Sequence, residues 1–540
     1  MEICLPLPSS FVIQTTHLRS TRHHLIPRCG KIETHCPPTV QPKPTIAAVR
    51  PPLSWWSLFV GICNAVDDFI DKALDTPLTP AFDPKRVLAG NFAPVDEIPP
   101  TECQELEGLI PPCLVGGVYI RNGPNPNFFP PAGYHLFDGD GMIHALAFHE
   151  EGTKIILSSR YVRTHKYLEE EAAGRPIYPN IISGFRGYAG MGRVAVAALR
   201  VGMGLIDPAK GVGVANTSLV FFNKKLLALG ESGLPYVLHI TPDGNIQTRG
   251  AFDFGGKLIA RMTAHPKIDT HTGELFAFHY SILAPFLHFF RVTADGVKES
   301  DVAIRSMRKA TIVHDFAITD NYAVFPDGQI VLDPARIFKG RNGSAVYFDR
   351  SKVSRIGVIP RYATDGSAMR WFDVPGLNFF HALNAWDDQD ENEIVLIAVH
   401  CSPAENFIEK IAAVQFTVEN IRINLNSGIV VQVFLKWAGV VKLDFEATDG
   451  VVASKTFGEG CFCGEPFFVP RTSDSQSAED DGYVVVFTHN EKTQVSKFVV
   501  MDAQSPALEI VASVKLPQRV PFGFHGLFVS AADLAATQRV

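Results

Sequence analysis

The chain has 540 residues and a formal net charge of −7, with 46% apolar and 19% charged residues. That apolar share excludes wholesale disorder and supplies a large core. The acidic balance, with no basic block, excludes a nucleic-acid backbone as partner. The length admits two or more domains, although large all-β folds exceed the usual domain size. Nine cysteines are an odd number with scattered spacing. Cys461 and Cys463 have no matching second pair, so the pattern supports neither a zinc knuckle nor a disulfide framework, and a reducing compartment is the simpler setting.

Residues 1–50 carry only Glu2 and Glu33 as acids, against Arg19, Arg22, Arg28, Lys31, Lys43 and Arg50. An acid-poor leader rich in Ser, Thr and Pro reads as an organelle transit peptide, and composition does not separate plastid from mitochondrion. A helix is expected over 53–74, where Trp55, Phe59, Ile62, Val66 and Phe69 recur at three- and four-residue steps and Leu58, Ile70 and Leu74 widen the stripe. Asp67, Asp68, Asp71 and Lys72 interrupt it and exclude a bilayer span. The stripe suits a membrane interface or the protein's own surface equally well.

From about residue 110 the texture is β. Strands are expected at 114–120, 143–148, 154–162, 217–222, 225–229, 235–240, 257–263, 274–280, 311–318, 321–325, 344–348, 394–400 and 482–488. Turn signals separate them, among them Pro242-Asp243-Gly244, Ala294-Asp295-Gly296 and Pro326-Asp327-Gly328. Many short strands without alternating helices argue for a propeller or a sandwich, and over 400 residues in one unit favours the propeller.

Four of the eighteen histidines, His265, His314, His381 and His525, follow short apolar runs. In a closed, radially repeated β fold, residues this far apart can meet on one axis. Imidazole suits iron, zinc or copper. A single histidine is more often an ordinary core or surface residue, and spacing does not select these four. Glu231 and Glu465 lie in glycine-containing stretches beside aromatics, where a buried carboxylate would hold the second nitrogen of a ligating histidine. Gly211-Val212-Gly213 lacks the context of a dinucleotide loop and reads as a close backbone approach. Phe137-Asp138-Gly139-Asp140-Gly141 has too few alternating ligands for a calcium loop.

Several stretches together resemble the carotenoid cleavage oxygenase family. They are Arg121-Asn-Gly-Pro-Asn-Pro126, Phe137-Asp-Gly-Asp-Gly-Met-Ile-His144, Ala264-His-Pro-Lys267, Val313-His-Asp-Phe316, Phe379-Phe-His-Ala382 and Pro521-Phe-Gly-Phe-His-Gly-Leu-Phe528. The likeness runs from about residue 80 onward. Phe457-Gly-Glu-Gly-Cys461 and Gly464-Glu-Pro-Phe467 resemble its plant carotenoid cleavage dioxygenase 4 branch.

The resemblance implies an all-β fold, a seven-bladed β-propeller with a loop and helix dome over an axial iron site. It implies Fe(II) bound by His265, His314, His381 and His525, with Glu231 and Glu465 behind them. It implies O2-dependent cleavage of a carotenoid at the 9,10 and/or 9',10' double bond, giving apocarotenoids such as β-ionone. Residues 1–50 then read as a plastid transit peptide, 51–80 as a membrane-contacting amphipathic helix and 81–540 as the oxygenase domain, associated with thylakoid or plastoglobule. A non-catalytic carotenoid or protein binder and a retinoid-type isomerase are the alternatives on the same scaffold. Between Gly428 and Gly439 the family pattern has a further strand region, with a third acidic residue in many members, that is absent here.

Overall fold

The computed structural model describes residues 55–75, 78–340, 343–435, 440–443, 451–472 and 477–537. The expected leader over 1–50 lies outside these residues.

The strands follow the turn punctuation closely. Segments expected at 143–148, 225–229, 274–280, 394–400 and 482–488 are the strands Asp140–His149, Lys225–Leu229, Leu275–Tyr280, Glu393–Ser402 and Gly482–Asn490. Pro242-Asp243-Gly244 folds Tyr236–Ile240 back onto Ile246–Ala251, with Gly244 at φ +81, a conformation that costs glycine little. The expected strand at 257–263 does not form, and of 311–318 only Ala317–Ile318 is strand. Pro326 and Asp327 end the strand Tyr322–Asp327 rather than making a turn. Asp327 is fully buried between Lys352 and Arg355, which neutralise it.

Consecutive antiparallel hairpins build small sheets. Ser218–Phe222 opens one four-stranded sheet, Lys267–Ile268 a second, Ala317–Ile318 a third and Phe379–Asp388 a fourth. Val118–Asn125 sits in a five-stranded sheet beside the late strand Gly526–Val529. Gly482–Asn490 sits in a six-stranded sheet. Two ribbons, Ile330–Leu332 with Val346–Phe348 and Val440–Leu443 with Val451–Lys455, have two strands each.

The sheets pack face on face, so several strands are apolar on both sides. In Gly482–Asn490, Val485 and Phe487 pack with Tyr119 and Phe148 of the five-stranded sheet, while Val484 and Val486 pack with Val440 and Ala453. This two-sided burial explains the unbroken run Tyr483-Val-Val-Val-Phe487. The sheet beginning at Ala317 packs Val324 and Val358 against Leu396 and Ile421 of the sheet beginning at Phe379.

The expected all-β, seven-bladed propeller is not what forms. The described strands make eight separate antiparallel sheets of two to six strands, with helices beside them, and none closes into a barrel or propeller. On the far face of the sheet beginning at Phe379, among the described residues, Val395, Ile397, Val399 and Val418 pack with Leu383, Trp386 and Phe416 of the same sheet. After Gly428 the chain adds Val430–Leu435 to that sheet, and the next described strands, Val440–Leu443 and Val451–Lys455, form a ribbon of their own. Hairpin signals specify neighbouring strands, and closure depends on sheet count, which local spacing does not encode.

Five α-helices occur among the described residues: α1 (Trp55–Phe69), α2 (Pro84–Val87), α3 (His165–Ala173), α4 (Gly187–Gly202) and α5 (Ala531–Thr537). Helix α1 continues as a π-helical turn, Ile70–Leu74. The expected stripe divides in two. Phe59, Cys63 and Ile70 face Ala189 and Val196 of α4, whereas Leu58, Ile62, Val66 and Phe69 are exposed. The acids that interrupt the stripe are paired: Asp67 with Arg200 at 2.5 Å, Asp68 with Arg175 at 2.7 Å and Asp71 with Arg193 at 2.7 Å. Gly192 is required for this contact, because a Cβ there would lie 2.8 Å from Cδ1 of Ile70. No helix among the described residues is long and apolar enough to cross a membrane.

Candidate metal centre

Each of the four histidines stands at the start of a strand on the edge of its sheet. His265 precedes Lys267–Ile268, His314 precedes Ala317–Ile318, His381 lies in the first turn of the pleat of Phe379–Asp388, and His525 immediately precedes Gly526–Val529. Strand starts from four sheets therefore deliver four imidazoles to one place. The His265 ring centroid is 4.5 Å from His314, 4.9 Å from His381 and 4.7 Å from His525. His381 is 4.8 Å from His314 and 5.1 Å from His525.

His265, His314 and His381 each offer a ring nitrogen, all within 4.8 Å of one another, and form a cluster able to hold a metal ion. The Nε2 atoms of His265 and His314 are 3.1 Å apart. Metal–imidazole bonds of about 2.1 Å place neighbouring donors about 3.0–3.4 Å apart in octahedral or tetrahedral sites, so this spacing fits a shared cation. Burial pushes the His265 imidazole well below its ordinary pKa and the His381 imidazole down to about 4. Both rings are therefore neutral at physiological pH, which is the form that ligates metal.

Carboxylates hold the opposite nitrogens. Glu231, in the turn after Lys225–Leu229, bonds His314 Nδ1 through Oε1, and its Oε2 accepts from Tyr280 Oη at 2.8 Å. Glu465 Oε1 lies 2.9 Å from His525 Nδ1, and its Oε2 accepts from the Gly526 amide at 2.9 Å. Such bonds fix the ring and direct Nε2 to the metal side. Burial acts to raise the Glu465 carboxyl, but His525, the Gly526 amide and the Arg121 guanidinium hold it below its ordinary value.

Asp315, next to His314, is a third carboxylate, and unlike the two glutamates it is fully buried. Its Oδ2 accepts from the Ala382 amide at 3.0 Å and lies 3.4 Å from His381 Nδ1, while Lys267 Nζ is 2.8 Å from its Oδ1. Sequence reasoning quoted Asp315 and assigned it no part. The available signal was an acid wedged between His314 and Phe316 in an apolar run.

The Arg121-Asn122 stretch supports the fourth histidine. The Asn122 amide donates to His525 O at 3.0 Å, in register with the pairing of Val118–Asn125 and Gly526–Val529. Arg121 is buried, and its Nη2 donates to Gly523 O at 2.9 Å. Its guanidinium passes directly over Gly464, where a Cβ would fall 1.4 Å from Nη1.

One side of the site is aromatic. Phe380 stacks on His314 at 4.0 Å and 8°. Phe407 lies 4.7 Å from Phe380, and Phe137 lies 5.7 Å from Phe407 and 5.5 Å from Phe524. These rings offer apolar surface without stranded polar atoms. The remaining motifs are structural. Asp138 accepts from the Ile182 and Ser183 amides, and Asp140 pairs with Lys166. A Cβ on Gly213 would meet the Gly233 Cα at 2.7 Å, which is the close approach expected there.

The family model of the retinal pigment epithelial membrane protein matches residues 92–433 and 426–530. The chain is 49% identical to the chloroplastic 9-cis-epoxycarotenoid dioxygenase NCED1 of Oryza sativa subsp. japonica, over 88% of this chain and 81% of that protein. It is 47% identical to the probable carotenoid cleavage dioxygenase 4, chloroplastic, of Arabidopsis thaliana, over 92% and 88%. Its fold is shared with the lignostilbene dioxygenase of Pseudomonas brassicacearum, with a TM-score of 0.67 and 23% identity, covering 82% of this chain and 98% of that one. By its length of match and its histidine cluster, the chain belongs to the family of carotenoid cleavage oxygenases and the retinal pigment epithelial membrane protein.

Proposed function

We propose that the protein is a non-haem iron-dependent dioxygenase that uses O2 to split a conjugated double bond of a carotenoid. The observation that carries the reading is the meeting of His265, His314, His381 and His525, backed by carboxylates on the nitrogens away from the shared centre. Iron(II) bound there supplies the reaction with O2. The chain's own residues supply the rest. Neutral imidazoles leave the centre's positive charge intact. Glu231 and Glu465 fix the rings of His314 and His525. The Phe380 face against His314, with Phe137, Phe407 and Phe524 beyond it, lays an apolar polyene beside the centre and offers it no competing polar partner.

The bond cut is the 9,10 and/or 9',10' double bond, with apocarotenoids such as β-ionone as products. The stretches at 457–461 and 464–467, which resemble the carotenoid cleavage dioxygenase 4 branch, support this choice over an epoxycarotenoid substrate. Both plant relatives are chloroplastic, which supports reading residues 1–50 as a plastid transit peptide. The exposed Leu58, Ile62, Val66 and Phe69 of α1, together with the exposed Leu199 of α4, support contact of residues 51–80 with a thylakoid or plastoglobule surface. Residues 81–540 form the oxygenase unit.

The test is expression in cells that accumulate either β-carotene or 9-cis-epoxycarotenoids, with chromatography and mass measurement of the products. Shortened 9,10 products from β-carotene are expected. Unchanged pigment with soluble, iron-loaded protein overturns the activity. Cleavage of the epoxycarotenoid alone overturns the substrate.

A further inference from the structure

Two of the carboxylates at the centre grip their histidines in comparable ways, and a third does so from a position that has no assigned part. We infer that Asp315 is the positioning residue of His381, doing for that ring what Glu465 does for His525. The inference rests on the reading of the histidines as metal ligands.

The geometry repeats. Glu465 takes the His525 Nδ1 at 2.9 Å and the backbone amide of the next residue, Gly526, at 2.9 Å. Asp315 lies 3.4 Å from the His381 Nδ1 and takes the amide of the next residue, Ala382, at 3.0 Å. In both cases a carboxylate meets a ring nitrogen and the amide that follows it, which fixes the ring's tilt as well as its place. The Asp side chain is one methylene shorter than Glu, and Asp315 reaches His381 from the segment just before the strand Ala317–Ile318.

Asp315 does more than either glutamate. Its Oδ1 accepts from the Phe316 amide at 2.7 Å and pairs with Lys267 Nζ at 2.8 Å. Lys267 stands two residues after His265, and Asp315 itself follows His314. One carboxylate thus ties together the three segments that carry His265, His314 and His381, the same three whose ligand atoms cluster within 4.8 Å. Residues 429–438, between Gly428 and Gly439, carry no acidic side chain that could serve His381 instead. A purely structural Lys267–Asp315 ion pair would account for the charge, but not for Oδ2 lying against both His381 Nδ1 and the Ala382 amide.

The test uses the full chain stripped of metal, titrated with Co(II) against a chelator and followed by visible absorption. Asp315→Asn is expected to weaken Co(II) binding ten- to hundredfold and to shift the absorption bands. Asp315→Glu keeps the charge for Lys267 but displaces the carboxylate. It is expected to fold, to bind closer to wild type and to show shifted bands, and it decides the matter if the Asn variant does not fold. His314→Ala is the comparator. Wild-type affinity and bands in an Asp315 variant, with binding lost in His314→Ala, overturn the role of Asp315 alone. Wild-type binding in His314→Ala overturns the ligand reading beneath it.

Discussion

Replacing Gly464 by Ala places a methyl group 1.4 Å from Nη1, 2.3 Å from Cζ and 2.5 Å from Nη2 of Arg121. Contact distance for such atoms is about 3.5 Å, so the guanidinium must retreat by roughly 2 Å. It is buried, and its way out is closed by Gly523, whose carbonyl it bonds at 2.9 Å. Losing that charge-assisted bond costs about 1.5–3 kcal/mol, and overpacking adds about 1–3 kcal/mol. The expected destabilisation is thus about 3–5 kcal/mol. A chain of this length loses about 1 °C of Tm per kcal/mol, so Tm should fall by ~3–5 °C. The assay is thermal unfolding of Gly464→Ala, Arg121→Ala and the double variant, without metal. Because Arg121→Ala vacates the space that the methyl group needs, the double variant should be less destabilised than the sum of the singles by about 2 kcal/mol. A Tm within 1 °C of wild type for Gly464→Ala, or strict additivity, refutes the packing argument.

His314→Ala and His525→Ala should each abolish iron retention and turnover, whereas Glu465→Gln should weaken iron binding about ten- to hundredfold; elemental analysis after dialysis reads both, and full retention in either histidine variant contradicts the ligand set. Ile62→Asp with Phe69→Asp should reduce co-sedimentation with plastid-lipid vesicles several-fold and leave iron content unchanged, and undiminished sedimentation rejects the interfacial role of α1. Glu419 is buried with neither carboxylate oxygen hydrogen-bonded among the described residues, and burial pushes its carboxyl up from 4.5 to about 7. The folded state therefore holds its proton where the unfolded state has lost it, so stability is greatest below pH 4.5 for this group and falls, by at most about 3 kcal/mol, as pH rises towards 7. Glu419→Gln should flatten that slope and stabilise the protein at pH 8, as read from denaturant midpoints at pH 5 and pH 8; an unchanged slope refutes it.

Local structure was legible where short-range chemistry decides it. Turn residues punctuate the strands, and apolar runs such as Tyr483–Phe487 mark burial on both faces. The four histidines became distinct only through the motifs around them, since imidazole spacing has no period when each ligand comes from a different sheet. Three features were hidden for physical reasons. Helix α4 is masked by Gly190 and Gly192, poor helix formers that sit where the Phe185 backbone and Ile70 press against that face. The stripe of α1 contains both a buried and an exposed apolar face, and composition alone does not divide them. Asp315 reads as a surface acid until the Ala382 amide and Lys267 are found around it. The propeller expectation failed at a long-range property: the strands form, but the described ones pair into eight separate antiparallel sheets.

The pairing of Gly526–Val529 with Val118–Asn125 also sets a schedule. During synthesis His265, His314 and His381 leave the ribosome well before the strand that carries His525. Its place is fixed when the late strand finds its early partner, through the Asn122 amide on His525 O, and when Glu465 meets its Nδ1. Closing so long a loop costs little more than closing one half its length. The fourth imidazole is thus the last to arrive: a chain mispaired near its last strand keeps the segments that gather His265, His314 and His381 but leaves His525 away from them.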